Sequence, residues 1–175
     1  MKKINKPQPQ EYDSFYAGYV HKIGEASIVP FLISQLDSLT EILEGLDDSR
    51  LLYAYEDNKW SIAELIGHII DVERVMSYRV LRFSRKDQTV LPGFDQDLYV
   101  LHGNHNDVSK ESLITEWRGL RKSNIEMINR LIEEQCIYTG TASGVIFSVR
   151  ALIYILGGHA EHHLDILKQR YLPNH

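Results

Sequence analysis

Apolar residues recur every three and four positions through most of this chain, and polar breaks divide the pattern into four long stretches. The first runs from Ser27 to about Leu46, with Ile28, Leu32, Leu36, Leu39 and Leu43 on one face and Pro30 tolerated in the first turn. The second opens on Ser61-Ile62-Ala63-Glu64, a capping box that predicts a helix from there to about Ser84. The third starts at Ser109 and runs to about Glu134, carrying Leu113, Trp117, Leu120, Ile128 and Leu131 inside. The fourth takes Ser148 as its cap and continues to about Tyr171, with Pro173 beyond it. Residues 1–11 are polar and read as an N-terminal tail. Tyr12 to Gly24 is aromatic-rich and is expected to pack on the body without forming a long helix.

Two connections stand out. Lys86 to Asn106 is long for a compact domain and holds Pro92, Gly93, Gly103 and Asn104; such a segment is usually functional or carries a short helix of its own. Thr139 to Gly144 is a turn, and the Val145-Ile146-Phe147 run after it is too short to argue for a sheet. Four amphipathic helices without a convincing strand predict an all-α chain, a four-helix bundle with a long loop between helices 2 and 3, forming one domain over residues 12–175.

Composition narrows the class. Of 175 residues, 43% are hydrophobic and 25% charged, as in an ordinary soluble domain, and the formal net charge of -5 gives a phosphate backbone nothing to hold. No nucleic-acid role is expected. Cys136 is the lone cysteine, which excludes an internal disulfide framework and any multi-cysteine metal site. Neither a leader-like apolar region nor a membrane-length apolar run is present, so the expectation is a cytoplasmic protein with no membrane partner.

The candidate chemistry lies in histidines. His159 and His163 are one turn apart on a stripe otherwise made of Leu152, Ile155, Leu156 and Ile166. With His159 at the centre, His163 lies about 40° away and His162 about 60° to the other side, which makes His163 the better partner. His68 shares a face of the second helix with Leu65, Val72 and Val75. The pair alone is equally compatible with hydrogen-bonded core histidines. Two inward stripes carrying three imidazoles point instead to a divalent metal site, because bundles build such sites from facing helices. Three neutral imidazoles leave the ion its charge and an open position, the pattern of a catalytic centre able to activate a water or thiol or to polarise a carbonyl. Spacing does not choose among zinc, nickel and iron.

Other residues keep two readings. Asp71, one turn after His68, is either an orienting partner for a ligand or a solvated acid. Glu161 and His162 read as surface positions, Glu64 as a cap, Trp60 as a core anchor and Cys136 as structural. Phe94, Asp95, Asp97 and Tyr99 on the long connection either shape a pocket or decorate a surface loop. His21, His102, His105 and His175 have no usable spacing. No residue offers itself as a convincing general base, so the catalytic residues are not assigned. The apolar sides of the second helix mark it as either central or covered by a partner.

The segment Lys59-Trp60-Ser61-Ile62-Ala63-Glu64-Leu65-Ile66-Gly67-His68-Ile69-Ile70-Asp71-Val72-Glu73-Arg74 resembles the first motif of the DinB-like superfamily, in particular its YfiT-type metal-dependent hydrolases and bacillithiol S-transferase-like proteins. Leu91 to Asp95 resembles the loop that follows, and Ser148 to Ala151 with Gly158 to His163 resembles the last motif. The likeness spans about residues 12–172 in the same order. It implies a four-helix bundle, usually a homodimer, whose metal is held by His68, His159 and His163. It further implies a small-molecule substrate and either of two activities. One is transfer of a low-molecular-weight thiol such as bacillithiol, mycothiol or glutathione to an electrophile; the other is metal-dependent hydrolysis. A metal- or ligand-binding protein without catalysis stays open beside them.

Overall fold

The structure, a computed structural model, describes residues 4–172. Short helix α1 (Ala17–Lys22) precedes α2 (Ile28–Glu44) and α3 (Ile62–Ser84). The long connection carries α4 (Gln96–His102), and α5 (Lys110–Asn129) and α6 (Glu133–Cys136) follow. A hairpin of β1 (Thr139–Ala142) and β2 (Val145–Ser148) leads into α7 (Val149–Ile166). The bundle consists of α2, α3, α5 and α7. Helix α7 packs on α1, α2 and α3, and α5 packs on α2 and α3.

The capping signals act as written. Ser61 Oγ accepts from the Glu64 amide and Glu64 returns a carboxylate to the Ser61 amide, so α3 starts where its apolar stripe starts. Ser109 and Ser148 cap α5 and α7 by accepting from the Ser112 and Ala151 amides, without the return bond. Ile62, Ile66, Ile69 and Ile70 are all buried by the chain's own helices. The several apolar sides of α3 therefore reflect its central place and say nothing about a partner.

Two elements differ from the sequence reading. Helix α5 stops at Asn129 instead of running to Glu134, because Leu131 leaves the helix and bonds back to the Ile128 carbonyl while its side chain stays buried. The apolar rhythm continues although the backbone has turned. The run judged too short for a sheet pairs with Thr139–Ala142 as a two-stranded antiparallel hairpin. Its two-residue turn, Ser143 and Gly144, has positive φ at both positions (54° and 77°), the turn whose twist suits a tight hairpin. This hairpin fixes the start of the long connection: Leu91 N donates to Thr141 O at 2.9 Å and Ser143 N to Leu91 O at 3.1 Å.

The N-terminal segment lies on the body. Ile4 is buried, the Tyr154 hydroxyl donates to its carbonyl at 3.1 Å, and Glu11 accepts from Ser148 Oγ and from Arg150. No helix among the described residues is long and apolar enough to cross a membrane.

Two apolar clusters fill the interior. One holds Val72, Met76 and Leu152 to Leu156; the other holds Leu65, Ile66, Ile69 and Ile70 with Ala160, Leu164 and Leu167. A polar band crosses the bundle where they meet. It contains His68, Glu73, Arg121, Gln35 and His159, all buried.

Candidate metal centre

His68 projects from α3 and His159 and His163 from α7, the pair of helices in closest association. Their exposures are 1%, 7% and 9%. One ring nitrogen from each lies within 4.8 Å of the others. His68 Nε2 and His159 Nε2 face each other at 3.0 Å, and His163 Nδ1 is buried with no hydrogen-bond partner among the described residues. The structure thus brings together the three histidines that helical phase selects. His162 points elsewhere: its ring packs on Tyr19 and on the outer side of His163.

Burial holds these rings neutral. Desolvation pushes His68 down to about 4 and His163 to about 3, each helped by the neighbouring histidines. His159 falls well below its ordinary value for the same reason, with the Arg121 charge adding to it. Three lone-pair donors therefore converge at neutral pH.

Glycines let other groups approach this cluster. A Cβ on Gly158, beside His159, would lie 2.0 Å from the Tyr19 carbonyl oxygen. The missing side chain lets α1 press on α7, which sets the Tyr19 ring 5.5 Å from the His159 ring. On the other helix the His105 ring occupies the place a Gly67 side chain would fill. His105 Nε2 lies 3.6 Å from Asp71 Oδ2, too long for a hydrogen bond but close enough for an electrostatic contact.

The remaining candidates separate. Asp71 faces His105 and Arg74 and contacts none of the three histidines through a hydrogen bond. Glu161 accepts from Gln35 Nε2 at 2.7 Å. Glu64 caps α3. Trp60, expected as a core anchor, is half-buried with its ring 4.8 Å from that of His68, so it forms part of the wall of the centre. Cys136 is buried, its thiol toward the Ile132 carbonyl. His21 and His102 lie outside the cluster, and His175 lies outside the described residues.

Two cavities reach the cluster from different sides. The larger, about 700 Å³, has His159 in its lining together with Tyr16, Tyr19, Val72, Met76 and Phe94. The smaller, about 290 Å³, reaches His163 past Trp60, Tyr55 and Tyr171. The long connection contributes to both: Phe94 and Asp95 line the first, Asp97 the second, and Tyr99 packs on Phe94. Asp95 also caps α4 through the Asp97 and Leu98 amides.

Sequence reasoning reads Tyr19 as body packing, Trp60 as a core anchor and His105 as a histidine without usable spacing, missing their places at the centre, and it passes over Arg79. Only Arg79 carries a usable signal there, since eleven residues after His68 return to nearly the same helix face.

Comparison with known proteins agrees with this architecture. A family model described as the DinB superfamily matches residues 32–167. A protein of Oceanobacillus iheyensis named "Putative metal-dependent hydrolase OB0413" is 30% identical over 133 residues, covering 74% of this chain and 75% of that one. Among solved structures, YfiT from Bacillus subtilis, named a probable metal-dependent hydrolase with an unusual four-helix bundle topology, aligns with a TM-score of 0.73. The alignment covers 95% of this chain and 94% of YfiT at 16% identity, a likeness of fold.

Proposed function

This chain belongs to the DinB superfamily, and from that premise we propose that it is a metal-dependent enzyme with His68, His159 and His163 as ligands of one divalent transition metal ion, joining a low-molecular-weight thiol to an electrophile. The observation that carries the reading is the convergence of three buried, neutral imidazoles. The donor set fits such an ion. His163 Nδ1, buried without a partner among the described residues, is costly as it stands, and the His68 and His159 Nε2 atoms, 3.0 Å apart and able to share one hydrogen bond, can both turn lone pairs to a cation when each ring carries its proton on Nδ1. Zinc, nickel and iron(II) all suit imidazole. When bound, the ion would supply positive charge to stabilise a thiolate or polarise a carbonyl.

The chain's own residues support a reaction of two partners. His159 faces one cavity and His163 another, so two molecules have separate routes to the same cluster. Tyr19 holds the His159 ring edge-on, and Trp60 packs on His68, which fixes both imidazoles and keeps bulk water off them. Neither nearby carboxylate is available as a base. Asp71 is turned to His105 and Arg74, and Glu161 to Gln35. A thiol, with an ordinary pKa of about 8.5, needs far less help to ionise than water does. That favours transfer over hydrolysis.

Hydrolysis is the second reading, favoured by the name of the Oceanobacillus relative. Protein reconstituted with zinc, nickel or iron(II) is to be assayed with a chromogenic electrophile, with and without glutathione, bacillithiol or mycothiol, and with an ester and amide panel without thiol. The expected result is thiol-dependent turnover that His159→Ala abolishes. Thiol-independent cleavage would replace transfer by hydrolysis. Failure to retain a metal after reconstitution would remove both.

A further inference from the structure

Arg79 lies on the same stripe of α3 as His68, Val72 and Met76, eleven residues or about 16 Å along the axis from the histidine. It borders the larger cavity, which has His159 among its other lining residues. Only 2% of Arg79 is exposed. A charge buried this far is ordinarily paired. The other arginine in the core, Arg121, has Glu73 at 3.0 Å, and the half-buried Arg150 has Glu11. No carboxylate among the described residues pairs with Arg79. Its partners are neutral: Nη2 donates to the Pro92 carbonyl at 3.1 Å and to Ser143 Oγ at 2.9 Å, and Nη1 faces Met76 Sδ at 3.9 Å. Tyr16 beside it does not neutralise it, because burial pushes the phenol up. Asp95, in the same cavity, is engaged by the amides of α4.

We propose that Arg79 anchors a carboxylate carried by the substrate that fills the larger cavity, and that this site selects an extended acid whose other end reaches the histidines. Nη2 spends both its hydrogens on Pro92 and Ser143, so the Nη1 edge, which among the described residues faces only Met76 Sδ, is left to donate to the carboxylate, and one guanidinium balances one negative charge where a phosphate dianion would bring two. Between the two ends the wall is apolar and aromatic, formed by Val72, Met76, Tyr16 and Phe94. The middle of the substrate is therefore an apolar or aromatic chain. The proposal rests on the reading of the histidine cluster as the reacting centre.

The test is calorimetric, on metal-loaded protein, with 5-phenylpentanoate and the uncharged 5-phenylpentanamide as a matched pair. The acid is expected to bind about tenfold or more tightly than the amide to the unaltered protein. In Arg79→Gln the preference is expected to shrink to less than about threefold, and Arg79→Lys, which keeps the charge but not the planar group that Pro92 and Ser143 hold in place, is expected to fall between. Equal affinity of the unaltered protein for acid and amide overturns the proposal, whatever the variants do. So does a preference that survives in folded Arg79→Gln, since the carboxylate would then be held elsewhere, for instance by the metal. No turnover is needed. A protein that prefers the acid but transfers no thiol keeps Arg79 as the anchor and overturns only the reaction.

Discussion

The imidazoles at the centre are bases from which burial has removed most of the basicity, and acid should expose this. In the unfolded chain a histidine takes its proton near 6.5, whereas His68 resists to about 4 and His163 to about 3. Between these values the unfolded chain binds more protons than the folded one, so stability rises with pH there. Metal-free protein is expected to hold this stability above about pH 6.5 and to lose up to about 1.4 kcal/mol per pH unit for each such histidine as pH falls toward 4. Thermal unfolding across that range should show a shallower slope for His68→Phe, and equal slopes would contradict the assignment. Metal retention gives a sharper discrimination. His163→Ala is expected to lose the ion while His162→Ala keeps it, read by elemental analysis of tag-free protein equilibrated with zinc. The trio is legible in the sequence because helical phase is arithmetic: His159 and His163 share a stripe, and His162 does not. Trp60 is not legible, since its ring reaches His68 from outside any repeating pattern. For Arg79 the phase is readable, but the lack of a countercharge becomes visible only when the helices are assembled.

Helices here meet at distances that their glycines set. Gly158→Ala puts a methyl 2.0 Å from the Tyr19 carbonyl, a backbone atom that yields only if α1 moves. The expected cost is about 2 kcal/mol or more, with Tyr19 displaced from His159 and metal retention weakened. Gly119→Ala on the exposed side of α5 meets nothing within 4 Å and should raise stability by about 0.5–1 kcal/mol. Denaturant unfolding of the two variants, with opposite signs, checks the distinction. Three of the four long helices are legible because each begins with a side chain that caps it: Ser61, Ser109 and Ser148 each bond the amide three residues on, whereas α2 is read from its apolar stripe alone. The hairpin is not, because Ser143 stands where both turn residues need positive φ and serine announces that poorly. The early end of α5 is hidden for a different reason. Leu131 is buried either way, so the pattern reports its burial and not its backbone.

Across the whole molecule, one polar chain ties the bundle together. Glu73 of α3 accepts from Arg121 Nη2 at 3.0 Å and from Asn124 Nδ2 at 2.9 Å, both on α5. Arg121 Nη1 donates to Gln35 Oε1 of α2 at 3.0 Å, and Gln35 Nε2 donates to Glu161 and the Gly157 carbonyl of α7. Glu73→Gln leaves Arg121 buried without its countercharge and is expected to cost about 3–5 kcal/mol. Glu73→Leu combined with Arg121→Met should cost less than the two single changes added together, since neither charge is then stranded. Equilibrium unfolding of the four proteins in that cycle measures the coupling, and simple additivity would count against a shared network. The same chain has a consequence for descent. Positions 35, 73, 121 and 161 sit on four helices and hold one another through polar atoms, buried at Gln35, Glu73 and Arg121 and half-buried at Glu161, so a lineage that alters them singly passes through a weakened protein. They should be inherited as one character, changing together or not at all, and variation concerted across these four columns is the trace they would leave among relatives.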